Sequence, residues 1–337
     1  MKRRAFLLGA ASGIGASVLR AAENKPDSPP APQTPPAPGA GALQITPTPA
    51  TPRIPLKLAL STYSYWHFKG EKPTVEWSIE QAAQLGCHGI DVLHRQMAIA
   101  ELGRLDAAAH AYCQKLKRHA LRCGVDLACL SVLQDFVSPN PAERYKWIAH
   151  TEKCIELAYA LGIPCIRISS GRWKTIPDFE TFMKARGIEP VLPGYTEEDG
   201  FKWCIESIHE CAALAEQRGV VLALENHWGL SGTPEGQLRI IDAVNSPWVG
   251  ALMDTGNFME NPYDKLVQIA PKTVFVQAKS YAGGGEFYTL ELDYKRIAKI
   301  LRDANYTGYV SLEMEGREPA ETAVPKGLAE IRAGFEA

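Results

Sequence analysis

Four stretches of this chain begin as aliphatic runs and finish on side chains that are costly to bury and useful for chemistry. VVLALE (220–225) ends on Glu225 and leads into Asn226 and His227, while VGALMD (249–254) ends on Asp254, three residues before Asn257. TVFVQAK (273–279) carries Gln277 and Lys279, and YVSLE (309–313) ends on Glu313, two residues before Glu315. Polar groups in dry surroundings demand partners, so such endings signal either a satisfied turn or a site. Asp254 suits a cap for the DTGN turn, a role compatible with a second one as ligand. In extended chain alternate residues share a face. Glu225 therefore points with Ala223, Asp254 with Leu252, and Glu313 with Ser311 and Glu315. Three carboxylates aimed into one space repel unless a proton or a cation lies between them. A divalent cation is the economical explanation.

Aiming these groups together requires a frame. Further aliphatic segments lie at 58–61 (LALS), 89–93 (GIDVL), 126–132 (DLACLSV) and 165–169 (CIRIS). Amphipathic helical stretches such as HTEKCIELAYALG separate the segments, and Gly86, Gly124, Gly162, Gly219 and Gly308 fall where helix C-caps belong. Eight strands alternating with helices over 57–337 predict an α/β fold, a (β/α)8 TIM barrel forming one domain. A doubly wound sheet would need a glycine-rich phosphate loop after its first strand, and TYSYWHF stands there instead. In a barrel, function gathers at the C-terminal ends of the strands. That rule adds Trp66, His67, Arg95 and Arg172 to Lys279, His227 and Asn257 as groups that could grip a substrate. The long segment 171–200 between the fourth strand and its helix reads as a lid.

The remaining sequence bounds the biology. Lys2-Arg3-Arg4, a modest apolar run and Ala21-Ala22 suggest a twin-arginine export signal over 1–22, too short to span a bilayer. A retained N-terminal anchor is the weaker alternative. Residues 23–56 are dominated by proline and cannot build a core, so they read as a Pro-rich, disordered linker. The expected location is the periplasm. A net charge of -2 offers no field for nucleic acid. Eight cysteines lack any C-x-x-C pairing and mostly sit in apolar stretches, where a thiol behaves as a small hydrophobe. No stable membrane insertion is expected, and a homo-oligomer is compatible with the sequence.

ALENHWG, ALMDTGNF, FVQAKSY and YVSLEMEG, in that order, resemble the xylose isomerase-like TIM barrels, the sugar phosphate isomerase/epimerase superfamily. The resemblance covers the chain from about Lys57 onward. It implies one divalent ion, manganese, magnesium, cobalt or zinc, held by Glu225, Asp254, Gln277 and Glu313. Gln277 is a departure, since the family usually places histidine there. An amide oxygen shifts preference toward harder ions than zinc. The resemblance implies an isomerase or epimerase acting on a carbohydrate, with Glu225 and Glu313 exchanging a proton beside a carbonyl through an enediolate. The alternatives are a lyase or hydrolase acting on oxidised glycosides at the same site, or a non-catalytic sugar-binding barrel.

Overall fold

The computed structural model describes residues 57–100 and 102–336. The expected signal and linker lie outside the described residues. Eight strands form a closed parallel barrel in sequential order, β1 to β8. They are β1 (Lys57–Ser61), β2 (Gly89–Leu93), β3 (Asp126–Ser131), β4 (Cys165–Ile168), β5 (Val221–Glu225), β6 (Val249–Asp254), β7 (Thr273–Ser280) and β8 (Tyr309–Met314). This is the (β/α)8 fold, and every strand lies within a residue of its aliphatic segment.

Helices α1 (Val75–Gln84), α2 (Ala107–Cys123) and α3 (Pro141–Leu161) follow the first three strands. Two helices, α4 (Phe179–Lys184) and α5 (Glu197–Arg218), follow β4. Then come α6 (Pro234–Val244), α7 (Pro262–Ile269), α8 (Tyr294–Asp303) and α9 (Ala320–Glu336). Local chemistry sets their ends. Asp106, Asn140 and Thr196 cap N-termini through side-chain oxygens, each worth about 1 kcal/mol. Gly124, Gly162 and Gly219 close α2, α3 and α5 in the left-handed conformation. Gly308 is not a cap; after α8 the left-handed position is taken by Asn305, at φ 56°.

The apolar core divides by the barrel wall. Its larger part, including Leu60, Ile90, Leu130, Ile166, Leu224 and Val310, packs outward against the helices. A smaller plug of Cys129, Cys165, Ala223, Leu252 and Phe275 packs as a separate apolar cluster. Gly89 makes room for it: a Cβ there would lie 2.7 Å from the Tyr309 ring. Further along the same strands the inward positions become polar, with Asp91, Ser131, Arg167, Glu225, Asp254, Gln277 and Glu313 all buried. No disulfide joins the eight cysteines. No described helix is long and apolar enough to cross a membrane.

Candidate active site

The C-terminal strand ends surround a cavity of about 530 Å³. Glu225, Lys279, Glu313 and Glu315 line it, with Arg167 from β4 and Ser131 from β3. Parallel register puts Gln277 beside Asp254, and Lys279 beside Glu313. The chain supplies two cations to these carboxylates. Arg167 Nε donates to Glu225 Oε2 at 2.6 Å, and its Nη2 pairs with the same oxygen. Glu225 Oε1 accepts from Asn257 Nδ2 at 3.2 Å. Lys279 Nζ lies 2.5 Å from Glu313 Oε2, 2.8 Å from Glu315 Oε1 and 3.3 Å from Asp254 Oδ2. Asp254 Oδ1 accepts the backbone N–H groups of Gly256 and Asn257, so it does cap its turn. Asn226 staples β5 to β6, donating to the Asp254 carbonyl and accepting from the Asp254 N–H. The ENH triplet thus divides its labour: Glu225 enters the cavity, Asn226 braces the wall, and His227 lines the opening.

Burial and charge push the two glutamates apart. Burial, reinforced by Glu313 and opposed by Arg167, raises the pKa of Glu225 to about 7. At Glu313 burial pulls upward too, but Lys279 and Arg167 outweigh it and hold the carboxyl below its ordinary range. Burial also raises Asp254 well above the usual carboxylate range. Asp91, equally buried, is pushed up to about 6. Burial, then Arg167 and Lys279, lower His227 far below 6.5, so its imidazole is neutral.

The donor set can be tested against a divalent ion. Gln277 Nε2 donates to Asp91 Oδ2 at 2.7 Å and to Ser131 Oγ at 3.2 Å, which fixes the orientation of the amide. Its Oε1 is buried without a hydrogen-bond partner, while Asp254 Oδ2 makes no hydrogen bond and faces the Lys279 ammonium at 3.3 Å. An orphaned amide oxygen in a dry, carboxylate-rich place is what a hard cation satisfies. Glu225, Asp254, Glu313, Glu315 and Asp91 also outnumber Arg167 and Lys279. The donors fit such an ion in kind but not in spacing: among the described residues no three of these carboxylates bring their oxygens within 4.8 Å of one another. The ion would have to share Asp254 and Glu313 with the Lys279 ammonium.

The expected grip residues divide. His227, Asn257, Lys279, His67 and Arg95 all line the cavity. His67 Nε2 donates to the Met314 carbonyl at 2.6 Å, which anchors that ring to β8. Trp66 and Arg172 are not in the lining. Trp66 packs on Phe68 with the Lys72 ammonium over its ring, and Arg172 stacks on Phe182 and donates to the Ile176 carbonyl inside the 171–200 segment. That segment does reach the cavity: Phe179 and Met183 of α4 line it, and Phe179 packs against Trp228 and Phe287. Arg167 was not anticipated, nor was Asp91. Each was legible as a charged residue inside a short apolar strand, at an inward-facing position.

A sequence model of the xylose isomerase-like TIM barrel matches residues 79–334. The chain belongs to that family. Among solved structures it is similar to a D-psicose 3-epimerase crystallised with D-fructose, at 19% identity and TM-score 0.64, covering 84% of this chain and all of the other. A 3-keto-D-glucoside 4-epimerase from E. coli aligns at 17% identity and TM-score 0.63, over 82% of this chain and 99% of its own. The IOLI protein, solved with a zinc atom, aligns at 16% identity and TM-score 0.60, over 83% and 96%. At these identities the likeness establishes a shared fold. No curated protein matches this family member.

Proposed function

We propose that this protein is an isomerase or epimerase that moves a proton at the carbon beside a carbonyl in a sugar or related polyol. The observation that carries the reading is the pair Glu225 and Glu313. They stand on different strands, line one cavity, and have pKa values displaced in opposite directions. Carboxyls whose environments separate their pKa values are suited to opposite halves of a proton transfer. Glu313, ionised beside Lys279, is the base. Glu225, near neutrality, is the acid that delivers its own proton to the enediolate, and exchange with solvent then resets both carboxyls.

Arg167 and Lys279 offer positive charge to the oxyanion that forms when the proton leaves, and their burial increases its worth. Trp228, Phe179 and Phe287 present an apolar wall for one face of a sugar ring, and the neutral His227 can exchange hydrogen bonds with its hydroxyls. Glu225, Asp254, Gln277 and Glu313 are the residues that would hold a divalent ion. When bound, that ion supplies Lewis-acid polarisation of a substrate oxygen. An all-oxygen set favours magnesium or manganese over zinc. The arginine pair at Arg3-Arg4 supports an exported enzyme, which cell fractionation would test.

The functional test is incubation with a panel of keto-sugars in heavy water. Deuterium should enter at the carbon next to the carbonyl with inversion or carbonyl migration. Loss of water or of an aglycone from the same substrates would assign the site to elimination instead. Sugar binding with no exchange in any metal-loaded preparation would leave only a binding barrel.

A further inference from the structure

A second group of ligating side chains lies outside this cavity. Among the described residues, the ligand atoms of His94, His150 and Cys154 all fall within 4.8 Å of one another. His94 follows β2, while His150 and Cys154 stand four residues apart on one buried face of α3. That spacing puts both side chains on the same side of a helix. The three are 2%, 3% and 0% exposed. The imidazole rings meet edge to face at 5.3 Å, and Cys154 Sγ lies 3.9 Å from His150 Nε2. Two ligands of a tetrahedral zinc, with bonds of about 2.0 Å to nitrogen and 2.3 Å to sulfur, stand about 3.5 Å apart. The His150–Cys154 pair stands within a few tenths of an ångström of that separation, and the other pairs, at no more than 4.8 Å, close to it with about an ångström of side-chain movement.

We propose that His94, His150 and Cys154 form a site for a soft or borderline ion such as zinc, with its fourth position open. The buried His94 Nε2 has no hydrogen-bond partner, an unmet demand that a metal bond would fill. Burial, with His150, Lys153 and Arg95 nearby, lowers the pKa of His94 to about 3, so its ring is neutral, as a ligand must be. Two imidazoles and one thiolate select zinc or copper(I) over magnesium or manganese. Binding converts the Cys154 thiol to a thiolate and releases its proton to solvent. His150 also borders a cavity of about 770 Å³ lined by Leu105, His110 and Lys153, which gives an ion a way in.

The test is titration of reduced, metal-free protein with cobalt(II), followed by absorbance. The wild-type chain should develop the near-ultraviolet thiolate-to-cobalt charge-transfer band. Cys154→Ser should lose that band, and His94→Gln should weaken cobalt binding by about tenfold or more. His94→Gln also serves should Cys154→Ser fail to fold, with circular dichroism confirming the fold of each. Asp254→Asn combined with Glu313→Gln should keep the band, which separates this site from the carboxylate cavity. Absence of the band in the wild-type protein would overturn the proposal. So would a band of equal strength in Cys154→Ser, or undiminished cobalt affinity in His94→Gln.

Discussion

Two polar clusters sit in one barrel, and they handle burial in opposite ways. At the cavity and just beneath it, Glu225, Glu313, Asp254 and Asp91 are buried as potential charges, and the chain answers with Arg167 and Lys279. At the second cluster, His94 stays neutral and no carboxylate joins the group. The cavity is therefore electrostatically loaded and responsive to pH. The His–His–Cys cluster is quiet until a soft ion arrives. Chemistry at a substrate carbon needs the first kind of place, where charge is held ready at a cost in stability.

The largest effect that would sharpen this contrast is on turnover. Glu313→Gln and Glu225→Gln should each lower the rate of deuterium incorporation by about 10²–10⁴-fold, the usual worth of a positioned acid or base. Cys154→Ser should leave that rate within a few-fold of wild type. Equal losses in all three would erase the distinction between the clusters.

Next comes stability. Arg167→Met leaves Glu225 buried without its cation and should cost about 3–5 kcal/mol in urea unfolding, since stripping one partner from a buried pair strands the other. Arg167→Lys should recover little of it, because Nε and Nη2 both engage one carboxylate oxygen and an ammonium cannot reproduce that fork. An unfolding curve for Arg167→Met that overlays wild type would show that the pair bears no such weight.

Third, pH should act on the metal-free protein in a set direction. The pKa of Glu225 rises from 4.5 to about 7 on folding, so the folded state binds the proton more tightly. Its stabilising contribution is full below pH 4.5 and is lost as pH rises through 7, a change on the order of 3 kcal/mol. Asp91, raised to about 6, adds to the same slope. Glu313 works the other way, losing its contribution as pH falls through its lowered folded value. Denaturation midpoints between pH 5 and 8 should therefore fall with rising pH, and magnesium or manganese should flatten the trend. A rising midpoint would contradict the assignment of protons in the cavity. The smallest expected effect is at the apolar wall. Phe179→Ala should raise KM several-fold, corresponding to about 1 kcal/mol of lost contact, with kcat little changed in steady-state assays.

Much of the frame was legible because a buried parallel strand writes itself as an unbroken aliphatic run. GIDVL and VGALMD match β2 and β6 residue for residue. Alternation along β5 and β8 was enough to aim Glu225 and Glu313 into one space. The same alternation, carried to CIRI and GIDVL, exposes Arg167 and Asp91, whose charges inside short apolar strands have no other explanation. What sequence could not show is contact across the barrel. Gln277 turns its amide to Asp91 and Ser131 on strands far away in the chain. Nor could it show loop geometry: Trp66 and Arg172 follow strands as expected, yet local stacking on Phe68 and Phe182 keeps both out of the cavity lining.

The central proposal is that oxygens of Glu225, Asp254, Gln277 and Glu313 at the C-terminal strand ends serve one hard cation, and anomalous diffraction from crystals soaked in manganese tests it most directly. The account predicts a single manganese peak in contact with oxygens of Glu225, Asp254, Gln277 and Glu313, with the Lys279 ammonium drawn back toward Glu315. A map with no peak there, and Lys279 still bridging Asp254 and Glu313, would contradict it.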